Sequence, residues 1–316
     1  MLLLLNMILS SLISHLSSLT SYFLPHTSYL LLPTSYFLPL TSYLLPHTSY
    51  LIFTTFALME MTRLKALLEE KAAQYNTPGF IPVDPISIPH LFTRREDIEI
   101  SGFLAATIAW GQRTTIVKNG HRLMQLMDHA PFDFVMNAGV EDLRRISSFV
   151  HRTFNSDDCL FFIESLKNIY LNHGGLEHAF SYGLSDGDKN LFHALVRFRE
   201  IFLETTHLSR SEKHIANPAS GSTAKRLNMF LRWMVRDDGK GVDFGIWKKI
   251  RPSQLSCPLD LHVGNVARNL GMISRRQNDW KAVEEIDGIL RSFDPSDPVK
   301  YDFALFGMGV FEKQRK

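Results

Sequence analysis

Two residues in the last third of the chain have the types and positions that amine chemistry requires, Lys225 and Asp260. Lys225 opens the run Lys225-Arg-Leu-Asn-Met-Phe-Leu-Arg-Trp-Met-Val-Arg236, where Leu227, Phe230, Leu231, Met234 and Val235 recur at helical spacing. That pattern is one face of an amphipathic helix, with Lys225 in its first turn. A helix N-terminus disfavours an ammonium and burial disfavours it further, so the lysine is expected to hold its proton less tightly than usual. An amine that is neutral part of the time is what Schiff-base formation needs. Asp260 lies in Pro258-Leu-Asp-Leu-His262, directly before a second amphipathic run of Val263, Val266, Ala267 and Leu270. A carboxylate there is expected to cap the helix, and it also suits a group that stabilises a developing cation.

Other residues near this pair are weaker candidates. Lys225, Arg232 and Arg236 fall on one stripe of the helical wheel, opposite the apolar face. The stripe reads either as a solvated cationic face or as a strip that meets phosphates. Lys248, Lys249 and Arg251 would add phosphate contacts. His262 either orients Asp260 or meets a phosphate, though a histidine at a helix start is more often structural. Trp233 and Trp247 have the stacking surface to hold a flipped base, but aromatic residues at helical spacing favour the core. Asp297 before Pro298 reads as a helix cap.

The elements that position these residues are helical. Ile100, Leu104, Thr107 and Ile108 share one face, as do Phe162, Leu166, Ile169 and Tyr170. Further helices fit residues 62–75, 113–129, 189–206, 279–291 and 297–306, with Gly271 and Gly307 just past helix ends. No long alternating pattern marks a strand. The expected fold is all-α, about ten helices in two packed subdomains with a cleft between them. Residues 59–206 would form the N-terminal part and 207–316 the C-terminal part, separated by the polar break at His207–Thr223. Thr77 to Pro89, with prolines at 78, 82, 85 and 89, reads as an extended connection across the surface.

Residues 1–58 differ from the rest of the chain. They contain no Lys, Arg, Asp or Glu, and Thr-Ser-Tyr recurs every seven residues from Thr20 to Thr48. Pro25, Pro33, Pro39 and Pro46 rule out a continuous coiled coil. No basic flank or small-residue cleavage site supports a targeting signal, and the proline-free stretch from Leu2 to Leu24 is interrupted by Asn6, His15 and serines. The expectation is a mis-assigned start, with Met59 or Met61 opening the working protein. All 34 Lys+Arg and 32 Asp+Glu lie beyond Leu58, and the net charge is +2. Any nucleic-acid binding must therefore come from a local patch. Cys159 and Cys257 are too few for a zinc or iron–sulfur site, so no metal or cofactor is expected, and a reducing cytoplasmic setting is the default.

The segment Pro258-Leu-Asp-Leu-His-Val-Gly-Asn-Val-Ala-Arg-Asn-Leu-Gly271 resembles the aspartate element of helix-hairpin-helix DNA glycosylases of the endonuclease III superfamily, nearest to the archaeal 8-oxoguanine glycosylase branch. Lys225 matches the catalytic lysine of the bifunctional members. Ile108-Ala-Trp-Gly-Gln-Arg-Thr-Thr115 is similar to the family's early glutamine element, which would make Gln112 a residue that wedges into DNA. The resemblance implies a DNA base-excision glycosylase with lyase activity, acting as a monomer away from membranes. In that reading Lys225 attacks the sugar and Asp260 assists, while Gln112, Arg232, Trp233, Arg236 and His262 bind substrate. Lys225–Arg236, together with Asp297-Pro-Val-Lys-Tyr-Asp-Phe-Ala-Leu-Phe-Gly307, also resembles an uncharacterised bacterial family. A DNA- or RNA-binding protein without catalysis, or a helical protein-interaction module, would use the same elements differently.

Overall fold

The computed structural model describes residue 55 and residues 58–312; the seven-residue repeat from Thr20 to Thr48 lies outside them. Residues 62–316 form one compact unit. The described part of it is all-α, a helix over residues 62–75 followed by eleven more from Arg95 to Val310, with no strand among the described residues. No described helix is long and apolar enough to cross a membrane.

The predicted long helices form close to their expected places. They are Arg95–Thr107, Arg113–Leu126, Ser156–Asn172, Phe192–Phe202, Lys225–Val235, Leu261–Asn269 and Trp280–Phe293. Three short helices, Pro131–Asn137, Val140–Ile146 and Leu176–Ser181, escape the periodicity because two turns or fewer hold too few apolar positions to show it. Helices from both sides of the polar break share one core. Phe103 of Arg95–Thr107 meets Phe162, Phe198, Phe202 and, from the Lys225 helix, Phe230. Trp247 is fully buried, and its indole N–H donates to Glu99 Oε1 at 2.7 Å.

The proline-rich segment is not an extended surface strap. It winds into three 3₁₀ turns, Pro78–Val83, Pro85–Ser87 and Pro89–Leu91, each begun by proline. Proline suits a first helical position because its fixed φ matches and no N–H is needed there. Phe80, Ile86 and Ile88 turn inward, and the Asp84 carboxylate accepts from the Ile86 N–H at 3.1 Å to cap the second turn. This local geometry carries Asp84 into the interior.

The first and last helices of the unit meet. The Tyr301 hydroxyl donates to Glu69 at 2.6 Å, and Lys71 pairs with Glu312 at 2.6 Å. Gly307 does not end a helix but sits within Asp302–Val310, where a Cβ would overlap the Tyr75 ring. Its lack of a side chain lets the 62–75 helix approach. Asp297 is likewise no cap; both its oxygens accept from Arg236 Nε, at 3.0 and 2.9 Å.

Candidate active site

Lys225 and Asp260 line one cleft of about 770 Å³, within the 300–1,000 Å³ range of small-molecule sites. Lys225 is the first residue of its helix, as its place in the run implies. The residue before it, Ala224, has φ 48° and ψ 33°, a left-handed conformation that costs a non-glycine residue roughly 1–2 kcal/mol. Local hydrogen bonds hold it. Ser222 Oγ accepts from Ala224 N at 3.1 Å, and Asn228 Nδ2 donates to Thr223 O at 3.1 Å. This backbone turn starts the helix abruptly and sets Lys225 at the cleft.

The Lys225 amine is half-buried and has no hydrogen-bond or ion-pair partner. Burial lowers its proton affinity below that of an ordinary lysine, and the neighbouring Arg226 adds to this. Asp260, Asp84 and Asp302 pull in the other direction without cancelling the effect. Asp260 behaves as the sequence suggests, its Oδ1 accepting from Val263 N at 2.9 Å. Asn278 Nδ2 donates to the Asp260 carbonyl at 3.1 Å, and Arg268 Nη2 holds Asn278 Oδ1 at 2.6 Å.

Gly264 leaves room for this clamp, because a Cβ there would stand 2.7 Å from Asn278 Oδ1 and 2.9 Å from Arg268 Nη1. Gly264→Ala is expected to displace Asn278 and loosen Asp260. Thermal unfolding should show a change within about 1 kcal/mol, since alanine's helix preference offsets much of the lost hydrogen bonding. The activity proposed below should fall about tenfold, as befits a misplaced group. An unchanged rate would show that the clamp does not position Asp260.

Sequence reasoning missed three further cleft residues. Asp84 is only 5 % exposed, yet it lines the cleft. Burial raises its pKa, against the lowering effect of Arg232, Arg113 and Lys225. Arg113 lies over the Phe306 ring at 4.9 Å and has no carboxylate partner. Arg226 donates to the Thr107 carbonyl, lies 4.9 Å over Trp110, and is lowered by burial to about 10. The signal for Arg113 and Trp110 was their place on either side of Gln112, within the motif singled out. Asp84 gave none beyond its proline neighbours.

Several predicted site residues lie elsewhere. Arg232 and Arg236 do not form a solvated strip. They are 3 % and 2 % exposed, because the face opposite the apolar one is covered by the Asp302–Val310 helix and the segment carrying Asp243. Arg232 pairs with Asp243 at 3.2 Å and Asp302 at 2.5 Å; Arg236 pairs with Asp238, Asp243 and Asp297. Trp233 is fully buried and has no surface for a base. His262 is exposed and lines the cleft, whereas Gln112 is exposed and stands outside it between two lining residues, Gly111 and Arg113. Lys249 and Arg251 border a separate, smaller hollow, and Arg251 pairs with Asp186 at 3.3 Å. No described group of His, Cys, Asp and Glu is arranged to hold a metal ion.

Trp110 is backed by a second buried pair. His214 stacks on it at 5.7 Å, and His214 Nε2 stands 3.3 Å from Asp158 Oδ2. Burial drives the His214 pKa down to about 4, outweighing Asp158, with Arg226 and other cations assisting. A folded-state pKa below the unfolded value of about 6.5 means that the unfolded chain binds more protons between pH 6.5 and 4. Stability is therefore expected to fall across that window, by on the order of 3 kcal/mol, and urea unfolding of wild type and His214→Gln should show the difference. Parallel pH dependences in the two proteins would disprove a neutral buried histidine.

These features define an all-α protein with one cleft in which a lysine with lowered proton affinity faces two aspartates. The chain belongs to DUF2400, a family described as a protein of unknown function, whose model matches residues 84–311. That match corrects the resemblance to helix-hairpin-helix DNA glycosylases, since no glycosylase family model matches. The Pro258–Gly271 likeness lies in a helix N-cap followed by one amphipathic helix, a local pattern that unrelated folds share. No curated protein matches the chain. No solved structure does either.

Proposed function

We propose that the cleft is the active site of an enzyme in which the Lys225 amine attacks the C1′ carbon of an abasic or damaged nucleotide in DNA. The nucleotide is turned out of the helix into the cleft, since reacting atoms inside a duplex are out of reach. Lys225 forms the Schiff base and Asp260 stabilises the cationic intermediate. The observation that carries this reading is the amine itself, partnerless and lowered in proton affinity, in one cleft with Asp260. A surface lysine would sit protonated in water; this one has been partly desolvated next to a carboxylate without being neutralised by it. Arg113, Arg226 and His262 on the same walls, none of them paired with a carboxylate, suit a phosphate-bearing substrate.

The test is borohydride trapping of the full chain on a duplex with a single abasic site. A covalent protein–DNA adduct that forms only with reductant supports the proposal. Salt-dependent DNA binding without any adduct would rule out Lys225 as nucleophile and leave a nucleic-acid-binding protein.

A further inference from the structure

Schiff-base formation needs a group that moves protons as well as one that stabilises charge, and Asp260 has the second task in the chemistry above. One of its oxygens is held by the Val263 N–H, and its carbonyl is clamped by Asn278. Asp84 lines the same cleft from a distant part of the chain, as the cap of the Pro85–Ser87 turn. Asp84 Oδ1 accepts from the Ile86 N–H, and Asp84 lines the cleft with Lys225. The two residues also share a second, small cavity of about 20 Å³, with Arg232 and Asp302. A space of that size accommodates one water molecule, and its walls supply the polar partners that such a water needs.

We infer that Asp84 is a second catalytic residue, the proton carrier for the Lys225 amine. The inference rests on the amine chemistry proposed above. Nζ attacks the aldehyde carbon of the opened sugar; the N–C bond forms and the carbonyl π pair moves to oxygen. Asp84 takes one N–H proton and delivers it to that oxygen, giving the carbinolamine. A proton from solvent, passed through the same carboxyl group, lets the hydroxyl leave as water while the nitrogen lone pair closes the C=N bond. A buried carboxyl whose proton affinity is raised above that of an ordinary aspartate suits transfer in both directions. The charged groups acting on Asp84 are Lys225 and Arg232 from one helix and Arg113 from another, while Asp302 lines the same small cavity and Asp260 the same cleft.

The experiment measures the trapping rate on abasic-site duplex against pH for wild type, Asp84→Asn, Asp84→Glu and Lys225→Ala. Affinity for a duplex with a tetrahydrofuran abasic analogue, which cannot react, is measured alongside. In wild type the rate should rise along a lower limb as Asp84 ionises and along an upper limb as the Lys225 amine loses its proton. Asp84→Asn should lose the lower limb, keep the upper one and lose about a hundredfold in rate, with unchanged affinity for the analogue. Asp84→Glu should keep the lower limb at a lower plateau, and it decides the matter if Asp84→Asn does not fold. A wild-type rate and profile in Asp84→Asn, equal losses of rate and affinity, or an Asp84→Glu without the lower limb would each overturn the assignment. Absence of trapping in wild type, or trapping that persists in Lys225→Ala, would instead remove the amine chemistry on which it rests.

Discussion

Lys225→Ala is expected to abolish the borohydride adduct and to slow strand cleavage at an abasic site by about 10⁴-fold or more, the scale on which removal of an enzymic nucleophile acts. Lys225→Arg should be as inactive, because a guanidinium stays protonated and offers no lone pair. Folding should be little affected. The lysine has no ion pair to lose, and its half-buried ammonium already carries a desolvation cost that alanine removes. The melting temperature should therefore hold or rise slightly while the chemistry disappears. Binding to the unreactive analogue should weaken at most severalfold, as expected for the loss of one positive charge among several in the cleft. Retention of the adduct in Lys225→Ala would transfer the nucleophile to another residue. A collapse of the melting temperature would show that Lys225 is structural.

The largest effect on stability is expected at Arg232. Its guanidinium bridges Asp243 and Asp302 and lies 4.2 Å over the Phe303 ring, all in the interior. Burial holds the Asp302 carboxyl at about 6 even with Arg232 beside it, and Asp260 nearby adds to the rise. Arg232→Met keeps most of the volume but leaves Asp302 without its cation. Removing one partner of such a pair costs about 3–5 kcal/mol, which for a unit of this size lowers the melting temperature by roughly 10 °C. The pH dependence has a definite sign. Asp302 would have a folded-state pKa even further above its unfolded value near 3.8, so the folded state binds the extra proton. The variant should lose stability as pH rises from 4 through that raised pKa, and Asp302→Asn in the same chain should restore part of it. Calorimetry at pH 5 and pH 8 distinguishes these cases; a pH-independent deficit would show that packing against Phe303, not charge, is what Arg232 supplies.

The two positions also show how far the sequence could be read. Lys225 and Asp260 were legible because both stand at helix starts, and a helix start is announced locally by the first apolar periodic residue. Arg232 and Arg236 share that helix, and the wheel placed them correctly opposite the apolar face. What the wheel could not hold was the identity of the neighbour on that side. Charge on a helical stripe looks the same whether water or Asp243, Asp297 and Asp302 lie beyond it. Trp233 raised the same ambiguity and resolved to core. Asp84 was invisible because its segment has no apolar period. Its orientation comes from three proline-started turns that bury Phe80, Ile86 and Ile88.

By itself, the sequence determined the all-α class, the places of the long helices, and the local caps that begin them. These depend on residues within a turn or two of each other, where backbone hydrogen bonding and apolar spacing act directly. Only the tertiary structure decided which charges are neutralised and which remain available to a ligand. Arg232 and Arg236 meet aspartates up to 70 residues away and are consumed by the fold. Lys225, brought from a distant part of the chain into one cleft with Asp84, is left without a partner. The cost of desolvating a charge depends on everything packed around it, and that environment is assembled only when the helices meet.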